Sequence, residues 1–171
     1  GWGTFSIVML LSFCEGMKRA FYVRKRGMGK GIGVIWPGAT TRAYAGLPSG
    51  RNVQLRDEDA ELLLARVPTL QAVSREYSRR RGITRGTKTV NAQIRGVDPS
   101  FGELRNHVPQ PGGRFLDPLD HEAKRRVVFL GDALARDLFG EENPVGQAIQ
   151  IQQSTFLVVG VMQPKIMMGM Y

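Results

Sequence analysis

The chain has 171 residues, 42% of them hydrophobic, which suits one domain or one domain with an appendage. Its single cysteine, Cys14, excludes an internal disulfide, and a chain this long buries enough of its surface to need no such staple. The net charge of +9 favours acidic partners such as nucleic acid, anionic lipid or an acidic protein face. However, the basic residues cluster only in residues 18–30, 79–81 and 124–126, a spread more typical of a solvated surface than of a nucleic-acid footprint.

Residues 1–13 (GWGTFSIVMLLSF) are almost uncharged and rich in large apolar side chains. As a helix they reach about 20 Å, short of the roughly 30 Å hydrocarbon core. They lack the basic flank and small-residue cleavage site of a signal peptide. They read as the outer part of a transmembrane helix; the alternative is a buried N-terminal helix. Residues 15–26 continue that helix, with Met17, Ala20 and Phe21 on one face. Gly27, Gly29, Gly31 and Gly33 then break it. Residues 32–36 form a short apolar strand candidate ended by Pro37-Gly38, and residues 39–56 read as a loop.

The clearest helix is predicted over residues 57–67. Asp57, Glu58, Asp59 and Glu61 fill its first turns and Arg66 its last, matching the helix dipole. Ala60, Leu63, Leu64 and Val67 make its apolar stripe, and Pro68 stops it. Two strands follow, over residues 70–77 and 88–97, with residues 79–86 as the hairpin tip. In the second strand Val90, Ala92 and Ile94 alternate with Thr89, Asn91, Gln93 and Arg95.

Asp98-Pro99 opens a turn and a short helix over residues 100–105. Residues 109–113 are a Pro/Gly loop that residues 115–123 extend. Residues 126–130 are a strand. Asp132 is expected to cap the next helix, with Leu134, Ala135, Leu138 and Phe139 as its apolar stripe and Gly140 as its end. Residues 147–151 and 155–162 form a hairpin over Gln152-Gln153-Ser154. Residues 166–171 are apolar without a stop signal and read as an interrupted chain. This order predicts an α+β fold, a mixed sheet with helices on one face, built in two halves of similar order.

The residues offer no defensible catalytic constellation. In the glycine run of residues 27–33, Gly31 follows Lys30 where a phosphate loop needs Ser or Thr, and the dinucleotide spacing also fails. Asp117, Asp120, His121 and Glu122 lie in an irregular segment without metal-ligand spacing, and His107 is the only other histidine. Ser49 is not in a nucleophile elbow, and Cys14 has no nearby basic partner. Arg79, Arg80, Arg81 and Arg85 could touch phosphates, but few aromatics interleave with them for base stacking. No catalytic residue, cofactor or metal ligand is therefore assigned. The blank chemistry points to a binding or mechanical domain rather than an enzyme; the alternative is a soluble basic module binding nucleic acid or anionic surfaces.

Several motifs together resemble one family. They are Gly96-Val97-Asp98-Pro99, Gly113-Arg114-Phe115, Val127-Val128-Phe129-Leu130-Gly131, Leu134-Ala135 through Leu138-Phe139-Gly140, Pro144-Val145-Gly146-Gln147 and Phe156-Leu157-Val158-Val159-Gly160-Val161. Their order is similar to that of the MacB-like periplasmic core domain of ABC transporter permeases in the MacB, lipoprotein-releasing and FtsX-like group. Gly3-Thr4-Phe5-Ser6 with Glu15-Gly16-Met17 looks like the end of that family's first transmembrane helix. The resemblance implies that residues 1–26 are that helix end with its extracytoplasmic extension. Residues 27–171 would then be the core domain, a porter-like fold of β-α-β units continuing past residue 171. It implies a bacterial inner-membrane permease subunit with the chain after about Glu15 outside the cytoplasm. The implied partners are an ATP-binding subunit or domain, a permease dimer partner and an adaptor outside the membrane, with no nucleic acid. The basic residues Lys18, Arg19, Arg24, Lys25, Arg26 and Lys30 pull the other way, since the positive-inside rule places such a flank in the cytoplasm.

Overall fold

The computed structural model describes Met9 and residues 31–164. Apart from Met9, the expected membrane helix and its extension, with Cys14, lie outside the described residues, as do most of the glycine run and residues 166–171. No helix among the described residues is long and apolar enough to cross a membrane.

Helix α1 spans Asp57–Arg66, with three acids in its first turn and Arg66 in its last. The Asp59 carboxylate accepts the Arg56 N–H at 2.7 Å, tying down the helix start. The helix forms where its dipole-matched charges predict. Its apolar stripe is only half-buried, however: Ala60, Leu63 and Val67 are intermediate and Leu64 is 44% exposed. Ahead of it, residues 32–36 are in no strand. Among the described residues no neighbouring strand takes its backbone hydrogen bonds, so this apolar run has no ladder to join. The two halves therefore do not match in order.

Strands β1 (Glu76–Arg85) and β2 (Lys88–Val97) form a hairpin of ten consecutive pairs, from Glu76–Val97 to Arg85–Lys88. Its tip is Gly86-Thr87, where Gly86 takes φ of +57°, so the predicted tip at residues 79–86 was too long. Arg79, Arg80 and Arg81 stand inside β1, and residues 70–75 precede it. Two-residue hairpin turns demand positive φ, which Gly86 supplies without steric cost.

Helix α2 is Phe101–Leu104 and α3 is Pro118–Glu122. The second replaces part of the loop expected over residues 115–123. Its signal is in the sequence. Asp117 accepts the Asp120 N–H at 2.8 Å, Asp120 accepts the Asp117 N–H at 3.1 Å, and Pro118 occupies the first turn. Strand β3 (Val127–Leu130) leads to helix α4 (Asp132–Phe139). Gly131, not Asp132, is the N-cap; Asp132 lies in the first turn and pairs with Arg136 at 2.6 Å. Strands β4 (Ala148–Ile151) and β5 (Ser154–Val161) close the chain order with a hairpin.

The five strands form one mixed sheet in the order β2-β1-β4-β5-β3, with β3 and β5 parallel and all other neighbours antiparallel. Strands β3 and β5 joined through α4 and β4 make the β-α-β unit of the α+β fold. Strand β1 meets β4 only at Ile83 and Thr84. The hairpin is thus anchored near its turn, and its open end runs on as a two-stranded arm. Helix α4 buries Ala135, Leu138 and Phe139 against Ile83, Leu130, Ile149, Val158 and Val161. Each large side chain so removed from water contributes about 1.5–3 kcal/mol. Phe129 lies between Val128 and Leu130 of the core side and so faces the opposite side of the sheet, beside a register shift that leaves Val159 of β5 as the extra residue. There it meets the Phe115 ring edge-on at 4.8 Å, with His107 5.8 Å from Phe115 and Phe101 5.2 Å from His107.

Candidate functional site at the two ends of the hairpin arm

The arm is fixed at both ends by arginines: Arg85, predicted in the hairpin tip, ends β1, and Arg75, predicted inside a strand, stands just ahead of it. At the turn end, the Arg85 guanidinium lies 4.3 Å from the Phe139 ring centroid. It donates to the Leu138 carbonyl at 3.3 Å, to Glu142 Oε2 at 2.5 Å and to Gln147 Oε1 at 2.9 Å. A cation placed on the last carbonyls of α4 also suits the negative end of the helix dipole. The Arg85 hydrogen bond and charge hold the Glu142 carboxyl below its ordinary range.

At the open end, Arg75 just ahead of β1 grips Asp98 just after β2. Arg75 Nη2 donates to Oδ1 at 2.8 Å and Nε to Oδ2 at 3.0 Å, while the Arg75 backbone N–H adds a bond to Oδ2 at 2.8 Å. Burial pushes the Asp98 carboxyl up, but the hydrogen bonds and charge of Arg75 outweigh it and leave the group below its usual value. The Asp98 hydrogen bond in turn raises Arg75. The Ser100 hydroxyl donates to the Val73 carbonyl at 3.1 Å. The Tyr77 hydroxyl donates to Asp57, which raises the Tyr77 phenol and joins the start of α1 to the arm.

Between α1, the Arg75–Asp98 pair and α3 lies an open cleft of about 350 Å³, lined among others by Glu61, Leu64, Arg75, Asp98, His121 and Glu122. Behind its α3 wall, Arg114 donates to the Asp120 carboxylate at 2.5 and 3.0 Å. Asp120 is only 4% exposed. Arg114 hydrogen bonds hold it at about 2, against the opposing effect of burial.

Of the residues weighed from sequence, His121 and Glu122 reach the cleft, while Asp117 and Asp120 are taken up by capping α3. His107 lies in the aromatic cluster. Among the described residues no group of three or more His, Cys, Asp or Glu could hold a metal ion. Arg85 is committed to α4, whereas Arg79, Arg80 and Arg81 are exposed and have no carboxylate within ion-pair distance among the described residues. The Arg75–Asp98 pair was missed, although Asp98 in the Asp-Pro turn was noticed. Its partner lies 23 residues earlier, and nothing local announces it.

Residues 1–171 match the family model of the MacB-like periplasmic core domain. The chain belongs to that family. It is 33% identical over 170 residues to the macrolide export ATP-binding/permease protein MacB of Rhodospirillum rubrum, covering 95% of this chain and 24% of the relative. It is 27% identical over 163 residues to the MacB of Bdellovibrio bacteriovorus, covering 95% of this chain and 25% of the relative. The chain thus spans about a quarter of the length of these relatives. The solved periplasmic region of MacB from Actinobacillus actinomycetemcomitans superposes with a TM-score of 0.60 at 22% identity, covering 72% of this chain and 57% of that one. The extracellular domain of the ABC-type transporter YknZ from Gram-positive bacteria gives 0.60 at 18% identity, covering 64% and 58%. These two likenesses establish that the MacB-like core fold is shared. The α+β sheet with its β-α-β unit is the one the sequence motifs implied.

Proposed function

We propose that this MacB-like core domain is the extracytoplasmic part of an inner-membrane ABC permease subunit. It couples ATP-driven motion of transmembrane helices to export or release of a substrate outside the membrane. ATP hydrolysis belongs to a separate ATP-binding domain or subunit, and the domain itself transmits displacement without bond chemistry. A permease dimer partner and an adaptor outside the membrane complete the assembly.

The observation that carries this reading is the pair of arginine locks on one hairpin. Displacement of α1 passes through Asp57 and Tyr77 to the arm and is held there by Arg75 and Asp98. At the other end Arg85 passes it to α4 and the sheet core. Charged forks of this kind resist sliding because both hydrogen bonds depend on one planar geometry.

The test is Asp98→Asn in the full permease assembled with its ATP-binding partner. ATP hydrolysis is expected to persist while substrate export or release falls. Equal loss of both, or unchanged transport in a folded variant, would remove the coupling role.

A further inference from the structure

We propose that the outer edge of β2 takes up an extended acidic polypeptide segment as an added strand. The inference goes beyond the coupling reading and does not depend on it.

The two-residue turn makes Arg85–Lys88 the closing pair, so hydrogen-bonded pairs alternate from there. Val90, Ala92 and Ile94 give their backbone groups to β1. Thr89, Asn91 and Gln93 turn theirs outward, and among the described residues no strand pairs with that edge. The ten-pair register has no bulge, and β2 contains no proline. Edge strands are normally blunted by charge, proline or a bulge. Here Lys88 and Arg95 stand only near the ends, and residues 89–94 (TVNAQI) carry no charge.

The neighbouring strand supplies the charge selection. Arg81 pairs opposite Ala92 and Arg79 opposite Ile94, on the face that Ile83 and Val90 turn to the core. Both arginines are exposed, and their hydrogen bonds go to the Arg80 and Ser78 carbonyls. An added strand would lie about 4.8 Å beyond β2. A carboxylate on it opposite Ala92 faces Arg81 across a single methyl group. Arg80, opposite Gln93, presents the same charge on the other face.

A second copy of this edge is a poor occupant, because residues 89–94 carry no carboxylate to meet the arginines. Nucleic acid or anionic lipid offers acceptors for the outward N–H groups but no row of donors at strand spacing for the outward carbonyls. An acidic strand satisfies both.

The test uses the purified full chain in detergent and a fluorescein-labelled ten-residue peptide of alternating Glu and Val, with a Lys/Val peptide as control. The acidic peptide is expected to raise anisotropy on binding and the basic one not. On binding, amide exchange should slow at Thr89, Asn91 and Gln93 and stay unchanged at Val90 and Ala92. Gln93→Pro removes an outward donor without touching the β1–β2 ladder and is expected to weaken binding about tenfold. Because a proline variant can unfold, Arg79→Glu with Arg81→Glu is the second arm: preference should switch to the Lys peptide. The proposal is overturned by acidic-peptide binding that survives both changes. It is equally overturned if the three outward amides are already protected without peptide, or if anionic vesicles or an oligonucleotide bind through the arginines while the peptide does not.

Discussion

Gly160 passes directly beneath the backbone of Arg114. A Cβ on Gly160 would meet the Arg114 carbonyl oxygen well inside contact distance and its nitrogen at 2.9 Å. The Arg114 N–H donates to the Val159 carbonyl at 2.9 Å, so residues 110–114 are strapped onto β5 at this point. Nothing there can give way without moving main chain.

Gly160→Ala should therefore lift the strap. Overpacking of this kind costs about 1–3 kcal/mol. Urea denaturation followed by circular dichroism should show the midpoint falling with little change in slope. An unshifted midpoint would mean that the close approach is not maintained in solution.

Asp120 sets an acid limit to stability. Its carboxyl titrates at about 2 in the folded chain against 3.8 for the unperturbed group. A folded value below the unfolded one contributes stability that is fully present above the unfolded value, and it is lost as pH falls through 3.8 toward about 2. Asp120→Asn should be less stable than the parent at neutral pH, and the gap should close in that window. Paired melting curves across the acid range check this; a gap that widens on acidification would contradict it.

Arg85→Ala removes a cation from the Phe139 ring, a donor from the Leu138 carbonyl and the partner of Glu142. The loss should be about 1–2 kcal/mol. Arg85→Lys should recover only part of it, because an ammonium cannot reach three acceptors in one plane. Hydrogen exchange would show the last turn of α4 and the tip at Gly86-Thr87 opening together. Faster exchange at the tip alone would break the proposed link between arm and helix.

Leucines on the two longest helices among the described residues should behave oppositely. Leu138 on α4 is 1% exposed, and Leu138→Ala should cost about 2–5 kcal/mol through the cavity it leaves. Leu64 on α1 is 44% exposed, and Leu64→Ala should change stability by less than about 0.5 kcal/mol. Chemical denaturation of the pair measures the contrast. Comparable losses would show that α1 is buried by something beyond the described residues.

The sequence by itself determined the elements whose signals are local. The acids at Asp57, Glu58 and Asp59, the alternation from Val90 to Ile94 and the apolar stripe of α4 each act within one or two turns or one strand, so they could be read in order along the chain. The Asp117–Asp120 box was equally local and went unread because its segment looked like loop. Tertiary structure alone decided the rest. Residues 32–36 have strand-like composition but pair with no strand among the described residues, and Arg79, Arg80 and Arg81 look like a tip until the register with β2 places them mid-strand. The grips of Arg75 on Asp98 and of Arg85 on α4 join residues 23 and 53 apart. A strand's partner and an arginine's carboxylate are properties of space, and no spacing along the chain encodes them until the sheet has formed.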